Sequence, residues 1–205
     1  MKTALALTAL TALTSAASVP VTGDLPPKGS ITVNTISYAG SGCPAGTVSE
    51  NLNSDATAFT LLFDSYVASK GPSVPITENR KNCQLNINLN IPQGWQYSVG
   101  TVDYRGFMQL DAGVTAQQQA LYYFQGELVQ QRLTTTFSNK NNGDYTIRDA
   151  FPLETTIWSN CTAQANVNIN TQIRLSGPND KQGLITIDSV DAKVTQIYGL
   201  QWKKC

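Results

Sequence analysis

From Cys83 to Ile91 apolar and amide side chains alternate without a break. Cys83, Leu85, Ile87, Leu89 and Ile91 fall on one side, and Gln84, Asn86, Asn88 and Asn90 on the other. A period of two puts alternate side chains on opposite faces of an extended strand, whereas a helix would scatter both sets around its axis. The pattern returns over 161–173, where Ala165, Val167, Ile169, Thr171 and Ile173 alternate with Gln164, Asn166, Asn168, Asn170 and Gln172. Asn is normally depleted in strands, so two amide-striped strands ask for a physical reason.

Strand-like stretches are expected at 31–38, 47–51, 58–67, 96–102, 105–110, 120–125, 133–137, 145–147, 155–158, 184–187 and 192–202. Turn-forming runs such as KGPSVP, NKNNGD and SGPNDKQG punctuate them. Only TAQQQAL (115–121) has helical propensity, and it is short. Many short strands without a long helix predict an all-β chain, a single antiparallel β-sandwich of jelly-roll type over residues 31–205. The Pro- and Gly-rich stretch 18–30 reads as an extended leader.

Residues 1–17 read as a secretory signal peptide. Lys2 precedes a run of roughly ten mostly apolar residues, too short for a membrane span of about twenty, and Ser15, Ala16 and Ala17 are small. No second hydrophobic segment follows, so the expectation is a secreted, extracellular, monomeric protein with no membrane partner. Fourteen basic and fourteen acidic residues of 205 balance to zero, with no large basic cluster, which argues against nucleic acid.

The chain contains no histidine. That removes Ser-His and Cys-His catalysis and the usual zinc ligands, and no metal or cofactor is expected. Cys43, Cys83, Cys161 and Cys205 form an even set behind a signal peptide and read as two disulfides. Of three connectivities, Cys43–Cys83 with Cys161–Cys205 is favoured. A hairpin turning near Asp180 would lay residue 161 opposite residue 199 and bring Cys205 within bridging range. Each bridge would close a loop of about forty residues, worth roughly 3 to 4 kcal/mol by chain entropy.

Carboxylate pairs remain as candidate chemistry. In VDYRGFMQLDAG (102–113), Asp103, Arg105, Phe107, Gln109 and Asp111 share one face of a strand. Asp103 and Arg105 are roughly 6 to 7 Å apart and suit an ion pair, whereas Asp103 and Asp111 are about 26 Å apart, too far for a dyad. Glu50, Asp55, Asp64, Glu127, Glu154, Asp188 and Asp191 are scattered singly. Asn160-Cys161-Thr162 is the one N-glycosylation signal, and early bridging of Cys161 would hide Asn160. The candidate binding face is Asn86, Asn88 and Asn90, extended by Asn166, Asn168 and Asn170, with Trp95 and Tyr97 nearest in sequence as an aromatic platform. Trp158, Trp202, Tyr122 and Tyr123 are further stacking surfaces.

Several segments together carry a resemblance: GCPAGT (42–47), FTLLFDSY (59–66), RKNCQLN (80–86), IPQGW (91–95), VDYRGF (102–107), LDAGVTA (110–116), INTQIRL (169–175) and GLQWKKC (199–205). The chain resembles a family of small secreted, mainly fungal proteins catalogued as a domain of unknown function. The resemblance implies a secreted single domain that includes the four cysteines, and it brings no activity or catalytic residue. The expected function is non-catalytic binding outside the cell or at the cell wall, polysaccharide being the favoured partner. The alternatives are a carboxylate-dependent glycan hydrolase or lyase, and a secreted effector acting on a host.

Overall fold

The computed structural model describes residues 25–54, 58–151, 156–161, 164–187 and 194–205. The expected signal peptide and most of the leader lie outside the described residues. Twelve strands are described. They are β1 (Thr32–Ala39), β2 (Val48–Leu52), β3 (Ala58–Phe63), β4 (Val67–Lys70), β5 (Arg80–Asn90) and β6 (Trp95–Leu110). The chain continues with β7 (Thr115–Phe124), β8 (Gln130–Ser138), β9 (Gly143–Ala150), β10 (Gln164–Ser176), β11 (Gly183–Thr186) and β12 (Val194–Lys204).

A five-stranded sheet runs β1-β5-β10-β7-β8, and a seven-stranded sheet runs β2-β3-β12-β6-β11-β4 with β9 also paired to β6. Every pairing is antiparallel. The two sheets pack face to face, as the alternation over 83–91 and 161–173 predicts. Leu85, Ile87 and Leu89 of β5 and Val167, Ile169 and Ile173 of β10 are fully buried. Phe59, Leu61, Phe63, Tyr97, Val102, Tyr104 and Met108 of the larger sheet meet them in the core. Burying each such side chain contributes about 1.5–3 kcal/mol against the entropy of ordering it.

Polar contacts tie the layers together inside this core. The Tyr104 and Tyr122 hydroxyls lie 2.7 Å apart, joining β6 to β7. Tyr66, in the turn between β3 and β4, sits 2.9 Å from the Thr171 hydroxyl of β10, and Tyr97 donates to the Ala165 carbonyl at 3.1 Å. Burial pushes the Tyr66 and Tyr97 hydroxyls well above the ordinary phenol range, so both stay protonated.

Several elements differ from the sequence expectation. Stretches 96–102 and 105–110 are one strand, β6, and 58–67 is two, β3 and β4. Residues 156–158 form no strand; the segment lies along the start of β6, where the Ser159 N–H donates to the Tyr97 carbonyl at 2.9 Å. TAQQQAL is strand β7, not helix. Bonded on both flanks, to β8 and β10, its backbone is satisfied by the sheet, and tertiary context overrides a weak helical preference.

In β6, Thr101 faces Gly199 and Val99 faces Leu200, which leaves Gly100 as an extra residue. This bulge shifts the phase. Tyr97 and Val99 point inward before it, and Val102, Tyr104, Met108 and Leu110 after it. A Cβ at Gly100 would lie 2.4 Å from the Gln201 amide nitrogen, so glycine suits the close approach.

The disulfides are Cys43–Cys83 and Cys161–Cys205, with Cα separations of 5.5 and 6.1 Å. The favoured pairing is therefore correct, but the hairpin behind it is not. β10 and β12 belong to opposite sheets and do not pair. Cys161–Cys205 crosses between the layers, joining the segment before β10 to the residue after β12.

Candidate functional site

Register turns the two amide stripes into one surface. Asn86, Asn88 and Asn90 of β5 stand directly opposite Asn168, Asn166 and Gln164 of β10. Directly opposed residues share a face, so the stripes merge on the outside of the five-stranded sheet. Along each strand the amides recur every ~6.8 Å, and across strands every ~4.8 Å. β7 adds Tyr123 opposite Asn168 and Gln119 opposite Gln172.

The amides bond to one another. Asn34, the extra residue of a bulge in β1, donates to the Asn88 carbonyl oxygen at 2.9 Å. Asn88 donates to Asn166, and Asn166 donates to the Gln125 carbonyl oxygen at 2.6 Å. In the next row Asn86 donates to Asn168 at 2.9 Å, and Gln84 donates to the Tyr123 hydroxyl at 3.2 Å. Asn88 and Asn168 are 8% and 9% exposed, deep enough that the cross-strand bonds offset their desolvation. The reason for Asn in these strands, which alternation alone does not reveal, is thus a cross-strand ladder. The side chains of Asn90 and Asn170, whose backbones pair in the sheet, take no part in the ladder.

At one end of the ladder a depression of about 440 Å³ opens between β10 and the β7–β8 turn. Asn88, Gln125, Asn160, Gln164 and Asn166 line it, with Phe124 beside them. The adjoining turn exposes Leu128 completely and Val129 by 62%. Among the described residues no carboxylate lines this depression. A second depression, of about 320 Å³, has a single acid, Asp111, beside Ser69, Lys70 and Gln109. Asp55, Glu154, Asp188 and Asp191 lie outside the described residues.

The expected aromatic platform needs correcting. Tyr97 is fully buried, packed edge-on against Phe124 at 5.1 Å and beside Trp202 at 5.6 Å. The inward phase of β6 before Gly100 puts it there, and it cannot touch a ligand. Trp95 opens the same strand in the other sheet, half-buried against the core, with the Lys204 ammonium 5.6 Å from its ring. Trp158 carries Lys203 at 4.3 Å. Neither tryptophan lies on the amide-bearing strands. The aromatic residue that shares their face is Tyr123, half-buried, while alternation sends its neighbour Tyr122 into the core.

The ion pair expected within one strand is also replaced. Asp103 takes both its bonds from Arg148 of β9, at 2.6 Å from Nε to Oδ1 and 2.6 Å from Nη2 to Oδ2. The two residues are directly opposite across the β6–β9 ladder. These bonds hold the Asp103 carboxyl below its usual range, partial burial opposes them, and Arg105 adds a lesser attraction. The pair is structural, a bidentate clasp between neighbouring strands.

A family model described as Domain of unknown function (DUF4360) matches residues 29–205. An uncharacterized secreted protein of Arthroderma benhamiae is 43% identical over 184 residues, covering 89% of this chain and 75% of that protein. Like that relative, the chain is a secreted protein. No helix among the described residues is long and apolar enough to cross a membrane. Among solved structures, TmCBM61 in complex with β-1,4-galactotriose is 11% identical, covering 82% of this chain and 89% of that chain, with a TM-score of 0.23. A family 11 carbohydrate-binding module from Clostridium thermocellum, in complex with a β-1,3-1,4-mixed-linked tetrasaccharide, is 8% identical. It covers 82% of this chain and 91% of that chain, also at a TM-score of 0.23. At such scores neither likeness carries an argument about ligand.

Proposed function

Because the chain belongs to the family described as Domain of unknown function (DUF4360), which supplies no activity, we propose its function from the amide-paved sheet. It is a non-catalytic extracellular carbohydrate-binding protein whose outer five-stranded face engages polysaccharide. The observation that carries this reading is the register that sets Asn86, Asn88 and Asn90 against Asn168, Asn166 and Gln164, with Tyr123 in the same row as Asn168. A flat lattice of amides with half-bonded donors and acceptors suits the hydroxyl groups of sugars. Its spacings, ~4.8 Å across strands and ~6.8 Å along them, approach the length of a sugar unit.

Each amide–hydroxyl bond contributes only about 0.5–1.5 kcal/mol net, because water satisfies both partners beforehand. A single sugar is therefore held weakly, and affinity grows with the number of units spanning the face. Tyr123 supplies the apolar surface that hydrogen bonds alone lack. A hydrolase or lyase needs two carboxylates about 5–10 Å apart, and the described residues lining the depression beside the ladder offer none.

The test is retention of the secreted protein on chitin, β-glucan and mannan. Asn90→Ala with Asn170→Ala removes two amides outside the ladder and should weaken binding by about 1–3 kcal/mol, roughly 5- to 150-fold. Tyr123→Ala should weaken it further. The Asn86, Asn88, Asn90→Ala triple variant breaks the ladder as well and is read only alongside its unfolding curve. Failure of the wild type to bind any of the three polymers, or equal binding by the folded variants, discards the reading.

A further inference from the structure

Asn160, the first residue of the sequon Asn160-Cys161-Thr162, stands at the depression beside the amide ladder, and the disulfide connectivity bears on whether the sequon is used. Asn160 is exposed and forms part of the depression's wall beside Gln125, Gln164 and Asn166; Thr162 lies outside the described residues. Its position is fixed from behind. Ser159, 1% exposed, receives the Gln96 side-chain amide on its carbonyl at 2.8 Å and the Tyr97 N–H on its hydroxyl at 3.1 Å. Asn160 is thus the point where a segment anchored on β6 comes to the surface.

A sequon whose middle residue is a bridged cysteine is open only while that bridge is not yet made. The partner of Cys161 is Cys205, 44 residues further along the chain. At synthesis rates of about 5–20 residues per second, Cys205 follows Cys161 by roughly 2 to 9 s. Cys43 and Cys83 precede both, and they pair with each other, which leaves Cys161 without a native partner during that interval.

We propose that Asn160 is an N-glycosylation site, modified while Cys161 is a free thiol, and that its glycan lies along the polar depression at the end of the amide ladder. The donor is a lipid diphosphate-linked oligosaccharide. A bond forms between Asn160 Nδ2 and C1 of the first sugar, the C1–O bond to the diphosphate breaks, and Nδ2 gives up one proton. The modification needs secretion, the sequon and an unbridged Cys161, so it stands apart from any ligand of the sheet. Folding then brings the glycan beside the turn bearing Leu128 and Val129, whose exposed apolar side chains it shields from other molecules.

The full chain is secreted from a eukaryotic host and its glycans are released by an amidase in ¹⁸O-water, which leaves labelled aspartate at each modified asparagine. Mass spectrometry then reads occupancy. The expected result is label at Asn160 in most wild-type molecules, none in Asn160→Gln or Thr162→Val, and unchanged occupancy in Cys205→Ser. An unlabelled wild type overturns the proposal. So does low wild-type occupancy that rises severalfold in Cys205→Ser, because the bridge would then close first. Backbone hydrogen exchange over 125–129 should be at least twofold slower with the glycan than after its removal, and equal rates would overturn its placement along the depression.

Discussion

Gln118 is the place where the core breaks its own rule. It lies in β7 with Ala116 and Ala120 on either side of it in the inward-facing row, and Ile173 and Thr135 opposite on the flanking strands. The residue is 3% exposed, and neither its Nε2 nor its Oε1 has a hydrogen-bond partner among the described residues. A buried amide with both groups unbonded costs about 1–3 kcal/mol by the measure of protein substitutions. Methionine has the same length, nearly the same volume and an adaptable chain. Gln118→Met should therefore stabilise the protein by about 1–3 kcal/mol. For a chain of this size that raises the melting temperature by roughly 2–4 °C per kcal/mol. Gln118→Ala should gain less or lose, because its alanine neighbours cannot fill the space left behind. Urea unfolding separates the cases: Gln118→Met moves the midpoint upward at unchanged slope. A lower midpoint at equal slope would refute the reasoning and mean that the amide is bonded in the folded protein.

Asp103 predicts an acid-side dependence. Its carboxyl is held below the usual range by the bonds from Arg148, so the stability it contributes is present above the unfolded value of about 3.9. That contribution is lost as pH falls through the folded one. The gap in urea midpoint between wild type and Asp103→Asn should be constant near neutrality and narrow on acidification; a gap that does not change as the pH falls contradicts the assignment. The two disulfides should differ in access. Cys43 and Cys83 are fully buried and Cys161 and Cys205 exposed, so a mild reductant followed by alkylation should label the second pair first. Each bridge closes a loop of similar length, separations of 40 and 44, worth about 4 kcal/mol by chain entropy. Labelling in the opposite order would be the contrary result.

The strands with strict alternation were legible because side-chain period reports directly on burial, as in Leu85, Ile87 and Leu89. The helical reading of TAQQQAL failed because Gln117, Gln118 and Gln119 say little by themselves; their strand is imposed by β8 and β10. Tyr97 was out of reach for a related reason. Its burial depends on the phase of β6, which a bulge at Gly100 changes partway, and nothing local to WQYSVG announces an extra residue. Asp103 was legible as one half of an ion pair, but its partner lies 45 positions away and depends on a register that only the folded sheet supplies. The cysteines show the converse. Their pairing was reached from a hairpin that does not exist, since β10 and β12 lie in different layers. The Asn stripes were visible and their merger was not, because adjacency of strands is a property of topology.

The ladder on the five-stranded sheet also has a sense of travel. Asn34 gives to Asn88, Asn88 to Asn166, and Asn166 to Gln125. Asn86 gives to Asn168, Gln84 to Tyr123, Arg80 to Gln172, and Gln119 to Thr134. Every one of these bonds points from the β1 side toward the β8 side. Dipoles aligned in this way polarise one another and strengthen together. The same alignment leaves a carbonyl oxygen, on Asn34, heading the longest relay and an N–H group, on Gln125, closing it. A sheet whose backbone dipoles cancel thereby acquires a lateral polarity from its side chains alone, and a molecule lying across the strands would meet two chemically unlike shores.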